Sequence, residues 1–464
     1  MFTTVDCKSF TETQNYYRQV MDPFQTLPVH IIELILKQLP DLPSLYFLHN
    51  ASPSIASILH YDQRLTVALI EAIITHPYTP PRIQFIIRTI TLLKLQSRLN
   101  SETESINKEK HISLLPSSLE DFIIPLRSSY FPQPAACYLR HGTTPLTKSL
   151  YPFLASLTSS QFFPCRLLAL SAYVHLLSRI IINSLLKRCH SLQLRHPADP
   201  KYCFRDRFDY AIWLRLSRGA PGPPYTPADI GPPSWSEESR VLLAVWRVVL
   251  YFEMRSIYIN KELSTLWASD WGETNTRKRE GLEIVTFWED LIGDRSGLID
   301  LEIVVEWIFP EAIGTYETVP WDKPPSPFQI LSHHDYDSSY YSAPKKPATD
   351  EKCNNTDKYD EDGGWRSAFE YAANHMLVFT WSPLYSVDFE IFRPYGFSIW
   401  DTKRLLTWEL WDTSMRHNPS RFLESKTLFT WRSILSKKQV TELEERRKEH
   451  MERHLRIKES THMP

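Results

Sequence analysis

Cysteine and histidine side chains between positions 189 and 203 are the residues of this chain best suited by type to bind a metal. The set comprises Cys189, His190, His196 and Cys203. Thiolate and imidazole are ligands that Zn²⁺ prefers, but the spacings between these residues match no closed zinc module. We therefore interpret the set as ordinary core and loop residues and expect no metal site.

Other sequence patterns that signal chemistry are missing. His333 and His334 are adjacent, but they lie in a segment predicted to be disordered, where a metal would have to offset the entropy of ordering the chain. The sequence contains no glycine-rich phosphate loop, no HExxH and no GxSxG. We therefore predict no enzyme activity and no cofactor. An enzyme whose site is assembled from distant residues is the alternative, and a deep pocket with shifted carboxylate or histidine pKa values would favour it.

Aromatic residues are densest between Phe392 and Asp412, a pattern compatible with base stacking or with core packing. A base-stacking groove needs aromatic side chains interleaved with net positive charge. From Trp400 to Asp412, three acidic residues offset two basic ones. We therefore predict that these tryptophans pack in a core and that nucleic acid is not a partner.

Composition limits the class of protein further. The chain has 464 residues, of which 42% are hydrophobic. Its 52 Lys and Arg nearly balance its 54 Asp and Glu, so it has no net positive charge that would attract nucleic acid or an anionic membrane. The length predicts two or more subdomains. Only 12 glycines accompany 34 prolines, which disfavours a doubly wound α/β fold. We therefore predict a mainly α protein.

The cellular compartment can be predicted from the N-terminal sequence, the length of the apolar stretches and the spacing of the cysteines. The first residues lack a basic segment followed by an apolar one, so no signal peptide is expected. The longest apolar stretch, Leu167–Leu177, is shorter than the roughly 20 residues that span a bilayer. The six cysteines form no CxxC pair, which suits reduced thiols. A cytoplasmic or nuclear location, with no membrane partner, is expected.

Changes in composition divide the chain into five segments. We predict a helical module at 24–60, a helical domain at 61–319, a disordered acidic and proline-rich loop at 320–364, a Trp-rich segment at 365–435 that packs on the helical domain, and a charged terminal helix or tail at 436–464.

Individual helices follow from apolar periodicity and from capping residues. Ser234 and Glu237 have the spacing of a capping box, Asp401 is a good N-cap, and Gly396 is suited to a positive φ. The predicted helices are Arg64–His76, Pro81–Leu99, Cys165–Leu194, a helix opened by Ser234, Leu282–Ile292, Leu298–Phe309, a helix from Asp401 to about Leu410, and Ser436–Lys458.

The segment 24–59 shows the clearest pattern of short helices and breaks. Pro28 suits the first turn of a helix, and apolar residues then recur at helical spacing as far as Leu39. Pro40 and Pro43 bracket a break before a second apolar run. A third short helix is predicted at Ile55–Leu59.

With its LP and LPDLPSL blocks, this segment resembles an F-box of the form seen in fungal F-box-like proteins. It departs from that form at His30, where an acid is usual, at 50–52, where a Val-Cys pair is common, and in lacking an aromatic in the third helix. The run GFSIWDTKRL at 396–405 is similar to the segment that closes the fold in those proteins. The resemblance implies a mainly α architecture: an F-box-like module, an irregular multi-helix domain and a long disordered insertion.

The resemblance also implies a function. An F-box docks on the Skp-type adaptor of cullin-based ubiquitin ligases, and the rest of the chain would then select an unknown protein substrate. The residues implied to contact the adaptor are Leu27, Pro28, Ile31, Ile32, Ile35, Leu39, Leu42 and Leu45. The alternative is a helical scaffold whose F-box-like segment belongs to its core. Exposure of Ile31, Ile35 and Leu39 would favour docking.

Overall fold

The computed structural model describes residues 22–77, 79–103, 162–198, 221–259, 299–308, 376–377, 382, 384–411 and 425–461. These residues are mainly α-helical, as predicted from the sequence. The predicted helix Leu282–Ile292, the predicted disordered loop at 320–364, Cys203 and the pair His333 and His334 lie outside the described residues.

The described chain forms two compact units. Unit 1 comprises residues 1–96 and 135–175, and unit 2 comprises residues 97–134 and 176–464, each to the extent that it is described. Unit 1 contains helices α1 Val29–Lys37, α2 Leu42–Ala51, α3 Pro53–Tyr61, α4 Gln63–Ile74, α5 Pro81–Thr103 as far as residue 96, and the first half of α6 Phe162–His190.

Helices α2, α3 and α4 each begin at a residue whose side chain caps the helix, whereas α1 follows Pro28 and has no side-chain cap. The Asp41 carboxylate accepts a hydrogen bond from the Ser44 amide at 2.8 Å, and the Asp62 carboxylate accepts one from Leu65 at 2.9 Å. Ser52 caps α3 in the same way. These bonds satisfy amides that have no partner inside the helix, so the breaks between the helices are fixed locally.

The core of unit 1 is formed by one apolar side of each of these helices. Its buried side chains include Ile32, Leu36, Leu42, Leu45, Ile55, Leu59, Leu69, Ile70, Ile73, Ile86 and Ile90. α4 packs against α1, α2 and α3, so the three short helices of segment 24–59 share a core with the helix that follows them.

Helix α6 differs from its prediction at its C-terminal end. It ends at His190 rather than at Leu194, because Leu194 begins strand β1, Leu194–Pro197, which pairs antiparallel with β2, Pro221–Tyr225. Residues 164–190 form a helix that is long and apolar enough to span a membrane. The prediction from the sequence rests only on the shorter stretch Leu167–Leu177, which by itself is too short to do so. Half of the most apolar window is buried inside the protein, and the core helix of a soluble protein has the same composition.

Unit 2 is built around this strand pair and α7. Its elements after β2 are α7 Trp235–Ile259, α8 Ile299–Ile308, 3₁₀ turns at Phe389–Ile391 and Arg393–Tyr395, α9 Thr402–Thr407, α10 Ser425–Arg432 and α11 Lys437–Thr461. α8 packs on α7, and α10 packs on β1. The predicted helices Leu298–Phe309 and Ser436–Lys458 are confirmed within one to three residues.

The tryptophans of the aromatic segment are core residues, as predicted. Trp400 and Trp408 are fully buried, and Trp411 is 5% exposed. The N–H groups of the first two are satisfied, since the Trp400 Nε1 donates to the Tyr395 carbonyl and the Trp408 Nε1 donates to the Ala228 carbonyl. No face of these rings is left for stacking a nucleotide base.

Candidate docking surface

Helix α1 presents three different faces, which follow from its rotation of about 100° per residue. Ile32 and Leu36 form the first face and are buried in unit 1. Glu33 and Lys37 form the second and make an ion pair of 2.6 Å. Leu34 and Ile35 belong to the third. An ordinary surface helix has a single apolar stripe, so a second, exposed one needs an explanation.

The third face is open to solvent. Leu34 is 58% exposed and Ile35 is 39% exposed, and Val29 at the start of the helix is 56% exposed. Leu27 is exposed as well; it lies in the segment 22–28 that precedes α1, which we call the arm. Phe47 is exposed on α2. Val29 lies on a different side of the helix from Leu34 and Ile35, so we call Leu27, Leu34 and Ile35 the apolar surface of α1.

The structure separates the residues implied by the resemblance into three groups. Leu27, Pro28 and Ile35 are exposed, Ile31 and Leu39 are half-buried, and Ile32, Leu42 and Leu45 are buried. A partner therefore has no access to the last three, whose side chains hold α1 and α2 in the core. Val29 and Leu34 were missed from the sequence, although a helical projection that separated two apolar stripes would have shown Leu34.

The arm that carries Leu27 is fixed by a carboxylate. Asp22 accepts hydrogen bonds from the Ser52 hydroxyl at 2.7 Å, from the Ser54 amide at 2.9 Å and from the Phe24 amide at 3.0 Å. The Ser52 hydroxyl and the backbone amides of Ser54 and Phe24 lower the pKa of Asp22 to about 2. Because Ser52 also caps α3, these bonds tie the arm to the first turn of that helix.

Two of the four candidate zinc residues, Cys189 and His190, pack inside unit 2. The Cys189 thiol is buried and donates to the Tyr395 carbonyl at 3.0 Å, and the His190 ring meets Trp408 edge to face. Burial raises the pKa of Cys189, which disfavours the thiolate that zinc requires. Within the described residues, no group of three or more potential ligands is arranged around a common point.

A carboxylate, an imidazole and a hydroxyl meet elsewhere in unit 2. Glu409 lies 2.7 Å from His196 Nε2, and the Thr430 hydroxyl lies 2.9 Å from His196 Nδ1. This trio has the group types of a hydrolase triad. Thr430 is fully buried, however, so its oxygen cannot reach a substrate, and the trio joins β1, α10 and the turn after α9.

A buried ion pair between Glu237 and Arg404 connects the start of α7 to α9 in unit 2. Glu237 and Ser234 form the predicted capping box, with the Ser234 amide donating to Glu237 at 2.8 Å. Glu237 also accepts from Arg404, whose remaining donors bind the carbonyls of Gly231 and Pro232. Asp401 precedes α9 as predicted but does not cap it; its carboxylate binds Ser234, Ser236 and Arg240 instead.

Comparison with known proteins identified no relative. No protein-family model matches the chain, and neither the curated proteins nor the solved structures contain a match.

Proposed function

We propose that the protein is an F-box-like substrate receptor, in which the apolar surface of α1 docks on a Skp-type adaptor of a cullin-based ubiquitin ligase. The chain itself then performs no chemistry. The rest of the chain selects the protein that receives ubiquitin.

One observation carries this proposal. Leu34 and Ile35 are exposed although Ile32 and Leu36 on the same helix are buried, so α1 has apolar residues in excess of what its core needs. Exposed apolar residues that cluster on one element are typical of a protein interface. A short helix that lays an apolar face into a groove is an established mode of recognition.

The position of the surface supports the same proposal. The caps on α2 and α3 and the Asp22 bonds to the first turn of α3 hold the arm and α1 in place without using Leu27, Leu34 or Ile35. A rigid surface binds with a smaller loss of conformational entropy than a mobile one.

The test is the affinity of the full-length protein for a purified Skp-type adaptor, measured by titration calorimetry. Leu34→Asp combined with Ile35→Asp is expected to weaken binding at least tenfold, since each change buries a carboxylate in an apolar contact. Tyr61→Asp is the matched control, because Tyr61 is 82% exposed at the end of α3 and outside the apolar surface of α1.

Both variants should keep the melting temperature of the parent chain, since the replaced side chains are exposed. If the parent chain does not bind the adaptor, the alternative of a helical scaffold is favoured. The observation that supports the scaffold alternative is that Ile32, Leu42 and Leu45 are core residues. Equal binding by the apolar-surface variant and the Tyr61→Asp control would place the adaptor contact elsewhere on the chain.

A further inference from the structure

Strand β2 has the sequence Pro-Gly-Pro-Pro-Tyr, which is unusual for a strand, because proline cannot donate to a hydrogen-bond ladder. Proline fixes φ near −65°, which is close to the value of a polyproline II helix and far from that of an antiparallel strand. Three of the five residues are prolines, so most of the segment has a polyproline-like φ.

The buried positions of the segment do not alternate: the two that face the protein are three residues apart, and the pairing with β1 has an irregular register at this point. Gly222 is buried and Tyr225 is half-buried, whereas Pro221, Pro223 and Pro224 are exposed. A regular strand alternates its side chains between two faces, but a polyproline II helix has three residues per turn and therefore three edges. One edge, Gly222 and Tyr225, faces the protein. The other two edges carry the prolines and face solvent.

The inward edge is held tightly. A Cβ at Gly222 would lie 3.0 Å from the His196 carbonyl oxygen, so a larger residue would crowd β1 at this close approach. The Tyr225 ring stacks on His196 with 4.5 Å between the ring centroids, and its hydroxyl donates to the Trp408 carbonyl at 3.0 Å. The segment is therefore anchored at both of its inward positions.

A positive charge accompanies the exposed prolines. Arg195 is paired with Pro224 across the two strands, and its side chain is exposed. One of its guanidinium nitrogens lies 3.4 Å from the Gly222 carbonyl oxygen, which keeps the cation beside the proline edge. A partner for this edge should therefore combine an aromatic groove with acidic side chains at its margin.

We propose that Pro221 and Pro224 form a docking site for an SH3-type domain. Such domains bind proline-rich PxxP segments in aromatic-lined grooves and use the preformed polyproline II conformation of the ligand. Pro221 and Pro224 have the required spacing and share one exposed edge. Because the segment is already anchored on β1, binding costs less conformational entropy than binding a free peptide. This site lies in unit 2 and does not depend on the proposed adaptor contact.

The experiment measures binding of the full-length protein to each SH3 domain encoded by the organism that makes it, by fluorescence anisotropy of the labelled domain. At least one domain is expected to bind. Pro221→Ala combined with Pro224→Ala should weaken that binding about tenfold or more. Pro232→Ala is the matched control, since Pro232 is also exposed and keeps the carbonyl that accepts from Arg404.

A peptide with the sequence of residues 219–227 should compete for the same domain, and it does so independently of how the variants fold. The proposal is overturned if no SH3 domain binds the parent chain. It is also overturned if the double variant binds as tightly as the Pro232→Ala control, in which case the prolines only protect the edge of the two-stranded sheet from pairing with other chains.

Discussion

Arg404 and Glu237 are 167 residues apart in the chain, yet the Arg404 Nε donates to both carboxylate oxygens of Glu237, at 2.9 and 3.1 Å. Both side chains are almost completely buried. The guanidinium also lies over the rings of Trp400 and Trp408, at 5.5 and 5.6 Å from their centroids. The pair therefore joins the start of α7 to α9 inside the core of unit 2.

Removing one member of this pair should strongly destabilise the protein. We expect Arg404→Met or Glu237→Gln to lower the free energy of unfolding by about 3 to 5 kcal/mol, because each leaves the other charge buried without an opposite charge beside it. The double variant should cost less than the sum of the two single changes. Chemical denaturation of unit 2, followed by tryptophan fluorescence, measures the three values.

The control for this prediction is an exposed pair. Lys438 and Glu442 are 3.7 Å apart on α11, and the Lys438 side chain is 85% exposed, so Lys438→Met should change stability by less than about 0.5 kcal/mol. Similar losses for Lys438→Met and Arg404→Met would contradict the role assigned to the buried pair.

Gly396 should not tolerate a side chain. Its φ of +65° is the left-handed conformation predicted from the sequence, and a Cβ there would lie 3.0 Å from Leu185 Cδ1. We expect Gly396→Ala to lower the melting temperature, with a loss of at least about 1 kcal/mol from backbone strain alone. Gly231→Ala separates backbone strain from crowding by Leu185. Gly231 also has a positive φ, of +94°, but no atom lies within 4 Å of the position that an alanine Cβ would occupy. An equal loss for both variants would show that crowding by Leu185 contributes nothing.

Unit 1 should lose stability in acid through Asp22. Its pKa in the folded protein is about 2, below the ordinary 3.8, so the folded state binds its proton less readily than the unfolded state does. The resulting stabilisation is fully present above about pH 4 and is lost as the pH falls towards 2. The Asp22→Asn variant should show a smaller loss over this interval in denaturant titrations at each pH. A pH profile identical to that of the parent chain would contradict the assignment.

The two described cysteines should differ in reactivity. Cys189 is fully buried and donates to a carbonyl, whereas Cys165 is only half-buried. Burial raises the pKa of both thiols, and the effect is larger at Cys189. We expect iodoacetamide to label Cys165 faster than Cys189 in the native protein, as measured by peptide mass spectrometry. Equal rates under native conditions would mean that α6 opens around Cys189 on the timescale of labelling.

Local signals in the sequence predicted most of the helices. Capping groups and prolines act within a few residues of the chain, so the starts of α1 to α4 and the capping box of α7 were readable from spacing alone. The end of α6 was predicted less well, because Leu194 continues the apolar pattern and only its pairing with Tyr225 places it in a strand.

The candidate site was predicted in part. The sequence located the apolar run from Leu27 to Leu45, but periodicity does not tell which of two apolar stripes faces the core. That choice depends on how α1 packs in unit 1, where it contacts α4, with Ile32 and Leu36 buried and Leu34 and Ile35 exposed.

By itself the sequence determined that this is a mainly α protein with short helices separated by prolines at its start and tryptophans placed for a core, because those properties depend on neighbours along the chain and on composition. Only the tertiary structure decided that Arg404 pairs with Glu237, that Asp401 binds two serines and Arg240 rather than capping its own helix, and that prolines of β2 face solvent. Those relationships join residues far apart in the chain, and a polar side chain takes whichever partner the packing of the core brings within hydrogen-bonding distance.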